Sequence, residues 1–175
     1  MKLTPDWICG FVEGEGSFVI SITKTSKSQQ VRLFFKVTQH KKNIQLLYAF
    51  KKYFGIGLVK PQNKDPEKCW EFVVSRFEHL HTKIIPFFES HQMHSTKKFD
   101  FLRFRKVALM MARKDHLTTE GLEKIQFIAL RMNKSIVFLE EDQLYVSTEE
   151  AEPTPPPSGP SGPRLDQDPV YRKGK

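Results

Sequence analysis

Apolar and polar positions change period abruptly near the start of this chain. Thr4-Pro5-Asp6 supplies a helix N-cap, a proline at the first helical position and an early acid. Trp7, Ile8, Phe11 and Val12 then fall at helical spacing, which predicts a short first helix with these four side chains in the core. After Gly16 the period becomes two: Phe18, Ile20 and Ile22 alternate with Ser17, Val19, Ser21 and Thr23. A polar turn over Thr25 to Gln30 leads to Val31, Leu33, Phe35 and Val37, alternating with Arg32, Phe34, Lys36 and Thr38. That is a hairpin with one apolar and one polar face. A helix is predicted over about 43–54, with Ile44, Leu47, Tyr48 and Phe54 among its apolar positions and Gly55 as its stop. A second strand pair follows at 57–60 and 69–74, then helices at about 77–88, 97–113 and 120–133; residues 134–147 fit neither period. The order, α-β-β-α-β-β-α with further helices, predicts an α+β domain around one antiparallel sheet.

Composition divides the 175 residues in two. Seven of the eleven prolines lie beyond residue 148, where Glu149 to Pro163 has almost no apolar side chains. The domain is therefore expected at 1–147, and 148–175 reads as a Pro-rich disordered tail or linker. Four of the 28 basic and five of the 20 acidic side chains fall beyond residue 147, leaving 24 against 15, a net +9, before it. A basic domain of this size favours a nucleic-acid partner, because phosphate binding rewards Lys and Arg. No apolar run approaches the roughly 18 residues of a membrane span, so no membrane partner is expected. The opening residues read as a helix start and not as a signal peptide. Cys9 and Cys69 sit inside predicted elements without zinc spacing, which favours free thiols in a reducing compartment.

The polar face of the sheet gathers Ser17, Val19, Ser21, Thr23, Arg32, Phe34, Lys36 and Thr38. Lys27 and Gln30 extend it at the turn, and Lys60, Gln62 and Glu71 from the second strand pair. A basic face dense in hydrogen-bonding side chains suits reading DNA base edges and tracking phosphates.

Chemistry concentrates in Glu13-Gly14-Glu15-Gly16, where a helix runs into a strand. Two acids at a helix C-terminus oppose its dipole and call for compensation, such as a cation. A hard divalent ion takes oxygen ligands, one or two carboxylates completed by water and phosphate. Glu15, between two glycines, can present its carboxylate, with the Gly14 carbonyl as second ligand because helix ends leave carbonyls free. The order of elements argues against a phosphate-cradling glycine loop, since such loops follow a strand and open a helix. Gly10 and Gly14 lie one turn apart on another face, a packing signal for a second helix; with one copy of the motif in the chain, that helix belongs to a second subunit. Gln39, at the end of a strand, and Lys97-Lys98, at the start of a helix, are the residues able to orient water and to stabilise charge on a phosphate near a metal. The histidine pairs His79/His81 and His91/His94 lack an acid or cysteine at metal spacing.

Trp7 to Phe18 resembles the signature of the LAGLIDADG homing endonucleases, and Phe35-Lys36-Val37-Thr38-Gln39 and Lys97-Lys98-Phe99-Asp100-Phe101 resemble two further segments of that family in the right order. The resemblance covers roughly residues 4–133. It implies the αββαββα fold, with a saddle-shaped antiparallel sheet and helices on one face. It implies a site-specific, intron-homing double-strand DNA endonuclease with Mg²⁺ or Mn²⁺ held by Glu15 and Gly14. Gln39 falls in the solvent network, and Lys97 or Lys98, with Lys97 preferred, near the scissile phosphate. A basic residue four positions after the glutamine is replaced here by Asn43, for which Lys42 or Lys41 substitutes. Members with one motif act as homodimers, which implies a subunit interface at Trp7, Gly10, Phe11 and Gly14 and a long, nearly palindromic target. The same resemblance points to an intracellular protein of a chloroplast or mitochondrion. The rival reading is an intron maturase or regulator that keeps the fold and binds DNA or RNA without cutting.

Overall fold

A computed structural model describes residues 2–24, 29–62 and 65–132. All lie in the first of two compact units of the chain, residues 1–138. Lys27, residues 134–147 and the Pro-rich segment 148–175 lie outside the described residues.

Helix α1 spans Pro5–Glu15. The Trp7 N–H donates to Thr4 Oγ1 at 3.3 Å, as the capping pattern requires. Ile8 and Val12, one turn apart, point inward and are fully buried. Trp7 does not reach the core as expected: it remains 39% exposed and stacks on half-buried Phe11 with centroids 4.7 Å apart. A helix of eleven residues can bury only one stripe, and Ile8 and Val12 occupy it.

Strand β1 (Gly16–Lys24) follows without a loop and pairs antiparallel with β2 (Gln29–His40). The helix-to-strand corner requires glycine, because a Cβ at Gly16 would stand 2.5 Å from Val12 Cγ1 and 2.7 Å from the Val12 carbonyl oxygen. β2 takes in Gln29 and Gln30, which the sequence pattern assigns to the turn; Gln30 pairs with Thr23 on the polar face, where a polar side chain costs nothing. A 3₁₀ turn (Lys41–Asn43) leads into α2 (Ile44–Phe54), which stops at Gly55 with φ +67°. In α2, Tyr48 is 50% exposed and Phe50 takes the buried position, so Tyr48 is not a core residue.

β3 (Leu58–Pro61) and β4 (Cys69–Val74) complete a four-stranded antiparallel sheet of order β1-β2-β4-β3. Gly57, expected inside a strand, precedes it with φ +85°. The next helical run comprises α3 (Phe77–His79), a π segment (Leu80–Ile84) and α4 (Ile85–Ser90). The Ile85 N–H bonds five residues back to Leu80. Pro86, which has no N–H to give, follows directly, so the wider turn accommodates a residue an unbroken α-helix would reject. α5 (Lys97–Ala112) and α6 (Thr119–Leu130) complete the described fold.

Helices cover the apolar face of the sheet. Phe18 is fully buried, with its ring 5.3–5.4 Å from those of Phe35, Phe88, Phe101 and Phe104. No described helix is long and apolar enough to cross a membrane.

Candidate metal and nucleic-acid site

Three segments far apart in sequence meet at the C-terminal end of α1. Gly16 pairs with Val37, so Glu15 and Gln39 lie one and two residues from a single strand pair. On the other side, the Glu13 carboxylate accepts the backbone N–H groups of His94 and Ser95, the latter at 2.7 Å. Lys97, two residues beyond Ser95, is therefore brought to the same end of the helix, since two residues span at most about 7 Å. Separation along the chain hides this contact, and the sequence pattern assigns Glu13 no role of its own. The bond from the Ser95 N–H, foremost, holds the Glu13 carboxyl below its ordinary range. Glu13 is thus an ionised acid already committed to partners.

Glu15 is the exposed acid of the pair. The Gly16 N–H closes on the Val12 carbonyl, which leaves later carbonyls of α1, Gly14's among them, without a partner inside the helix. An exposed carboxylate beside such a carbonyl is an all-oxygen donor set and fits a hard divalent cation. Among the described residues no group of three His, Cys, Asp or Glu side chains could hold a metal, so further ligands must come from water, phosphate or a second subunit. Gln39 sits at the end of β2 on the helix-facing side, and its amide oxygen accepts from Asn43 Nδ2 at 3.2 Å. Asn43 thus takes up the position four after the glutamine with a hydrogen bond. Lys41 and Lys42 are exposed in the adjoining 3₁₀ turn, and the Lys42 N–H donates to His40 Nδ1 at 3.1 Å. Lys97 and Lys98 are both half-buried in the first turn of α5. Cys9 is buried and free, and burial pushes its thiol up, which makes it inert.

The register puts Ser17, Val19, Ser21, Thr23, Gln30, Arg32, Phe34, Lys36, Thr38, Lys60 and Glu71 on the sheet face away from the helices. Gln62 continues that side, its N–H bonded to the Cys69 carbonyl at 2.8 Å. Glu71 is 4% exposed and lies between two lysines, 3.6 Å from Lys36 Nζ and 3.3 Å from Lys60 Nζ. Lys36 Nζ also stands 5.4 Å from the centre of the Phe34 ring. This clamp depends on β4 lying between β2 and β3, which the sequence pattern does not specify.

On the outer side of α1, Gly10 and Gly14 are exposed, and a Cβ at either would meet nothing within 4 Å among the described residues. Trp7 and Phe11 flank that face. It is open to close approach by a second helix.

Known proteins resemble this chain in sequence and in fold. A "Probable intron-encoded endonuclease 2" from Neurospora crassa is 34% identical over 120 residues, 69% of this chain and 25% of its own length. The chain spans about a quarter of the length of this relative and of two others like it, from Neurospora crassa and Podospora anserina. Among solved structures, the homing endonuclease I-TnaI superposes with a TM-score of 0.71 at 39% identity, over 82% of this chain and 96% of that one. I-SmaMI, bound to its uncleaved DNA target in the presence of calcium ions, superposes with a TM-score of 0.70 at 34% identity, over 75% of this chain and 45% of that one. The LAGLIDADG endonuclease family model matches residues 8–108, and the chain belongs to that family.

Proposed function

We propose that this protein is a site-specific, intron-homing DNA endonuclease that hydrolyses phosphodiesters on both strands as a homodimer on a long, nearly palindromic target. The observation that carries this reading is the meeting of Glu15, Gln39 and the Lys97 segment at one end of α1. Mg²⁺, or Mn²⁺, would be held by Glu15 and the Gly14 carbonyl and would supply Lewis-acid stabilisation of charge at the scissile phosphate. Gln39 orients water beside it, and Lys97, or Lys98 next to it, neutralises negative charge on the phosphate. The polar sheet face supplies phosphate contacts through Arg32, Lys36 and Lys60 and base-edge contacts through its Ser, Thr and Gln side chains. We place the host gene in an organelle, by the habit of the family. The test is incubation of DNA spanning the intron-less insertion site with the protein, in Mg²⁺ and in chelator. Cutting of both strands in Mg²⁺ alone is expected; tight binding with no cutting in Mg²⁺ or Mn²⁺ would make this a binding protein of the same fold.

The dimer has its own test. Gly10→Leu places its Cβ where no described residue comes within 4 Å, and leucine improves the intrinsic helix preference by about 1 kcal/mol over glycine. The isolated subunit therefore keeps its fold. Sedimentation is expected to show the parent as a dimer and the variant as a monomer, with an unchanged or higher melting temperature. A variant that still dimerises would move the interface elsewhere.

Glu71 cancels about one positive charge on the sheet face. In Glu71→Gln, Lys36 and Lys60 both become available to phosphates. The slope of log binding constant against log salt on random-sequence DNA should steepen by up to about one ion, with tighter binding at low salt. Anisotropy titrations across a salt series measure this. An unchanged slope would mean the two lysines do not meet phosphate.

A further inference from the structure

Two acids end α1, and the proposed chemistry uses one. The other, Glu13, makes contacts that sequence distance conceals: its carboxylate accepts from the His94 and Ser95 backbone amides, 81 and 82 residues away. Ser95 passes this anchor on to α5. Its Oγ accepts the Lys97 N–H at 3.3 Å, and its carbonyl accepts the Lys98 N–H at 3.0 Å. The Thr96 side chain makes no cap bond, so Ser95 is what holds the first amides of α5. One short chain of hydrogen bonds thus runs from the end of α1, through Ser95, to the backbone of both candidate lysines.

We propose that Glu13 is a positioning residue for cleavage: it fixes the 94–98 segment against the end of α1 and so sets Lys97 at a constant distance from Glu15. This rests on the endonuclease reading. Glu15 and Lys97 belong to different elements, and each stands two residues from one end of the Glu13–Ser95 bond. Reacting groups on separate elements need such a tether, since a displacement of about 1 Å costs about a hundredfold in rate. The contact also accounts for an acid at the wrong end of a helix dipole. The His94 and Ser95 amides, just ahead of α5, hold it, and the start of a helix favours negative charge. A metal ligand would face open solution; Glu13 faces the neighbouring segment.

The test compares Glu13→Ala with Glu13→Gln in the full chain. Glutamine keeps an oxygen that can accept the Ser95 amide but loses the charge. Alanine removes both. Single-turnover cleavage by Glu13→Ala is expected to fall about 10–100-fold at unchanged DNA affinity, with Glu13→Gln recovering to within about tenfold of the parent. Amide exchange at His94 and Ser95 is expected to speed up at least about tenfold in Glu13→Ala, while core amides of β2 keep their protection. Equal loss in both variants would mean that the charge acts directly, as a ligand would, and would overturn the positioning role. Faster exchange with an unchanged cleavage rate would overturn it as well, and unchanged exchange would remove the tether itself. A parent that cuts no DNA defeats the endonuclease reading separately, because the exchange measurement reports the tether without any cleavage.

Discussion

Glu15→Gln is expected to lower the cleavage rate by at least about a thousandfold while leaving DNA affinity equal or slightly higher. Glutamine is nearly isosteric, and Glu15 is exposed at the helix end, so the substitution disturbs no packing. What it removes is a negative oxygen donor in a site with few of them. Loss of a metal's stabilisation of transition-state charge is worth several kcal/mol, and about 4 kcal/mol corresponds to about three orders of magnitude in rate. Binding behaves in the opposite sense, because a carboxylate facing phosphates repels them until a cation intervenes. In chelator, the variant should therefore bind target DNA at least as tightly as the parent. Calcium should tighten binding by the parent and leave the variant unchanged, a readout independent of cutting. Cleavage within tenfold of the parental rate would remove Glu15 from the metal site.

The contrast between Glu15 and Glu13 marks how far the sequence could be read. Alternation over Phe18–Ile22 and Val31–Val37 predicts the hairpin and its two faces, because period two is a local property of a half-buried strand. Gly55 as a helix stop is equally local. Trp7 and Tyr48 illustrate the limit of periodicity: an amphipathic aromatic satisfies the apolar pattern yet lies at the margin of the core. The π turn before Pro86 follows from the proline but needed the register of the helix to be seen. Contacts fixed by topology were not legible. Glu71 meets Lys36 and Lys60 only because β4 inserts between the strands that carry them. Glu13 meets Ser95 only because α5 starts beside the end of α1. Glu15, Gln39 and Lys97-Lys98 stand out by residue type and position, the family resemblance assigns their roles, and the Gly16–Val37 pair supplies the physical reason two of them adjoin.

The second large effect concerns stability, and it reaches the site through the same corner. Phe18 is fully buried two residues after Gly16, in contact with rings from β2, α4 and α5. Truncation to alanine leaves a cavity walled by four other phenylalanines, whose backbones are held by strand pairing and helix hydrogen bonds and cannot collapse inward. Such a substitution costs about 3–5 kcal/mol, out of the roughly 5–15 kcal/mol that holds a domain of this size folded. Phe18→Ala should therefore melt roughly 10–20 °C below the parent. Phe127→Ala, at a position 56% exposed on α6 where the ring carries the Arg131 guanidinium at 4.2 Å, serves as the control and should change stability by no more than about 1 kcal/mol. The aromatic cluster is also what holds β1 against α5, and β1 leads directly back to Glu15. Below its melting point the folded variant should consequently cleave more slowly than the parent at equal DNA occupancy. A Phe18→Ala protein that melts within a few degrees of the parent would show that the four rings close over the gap.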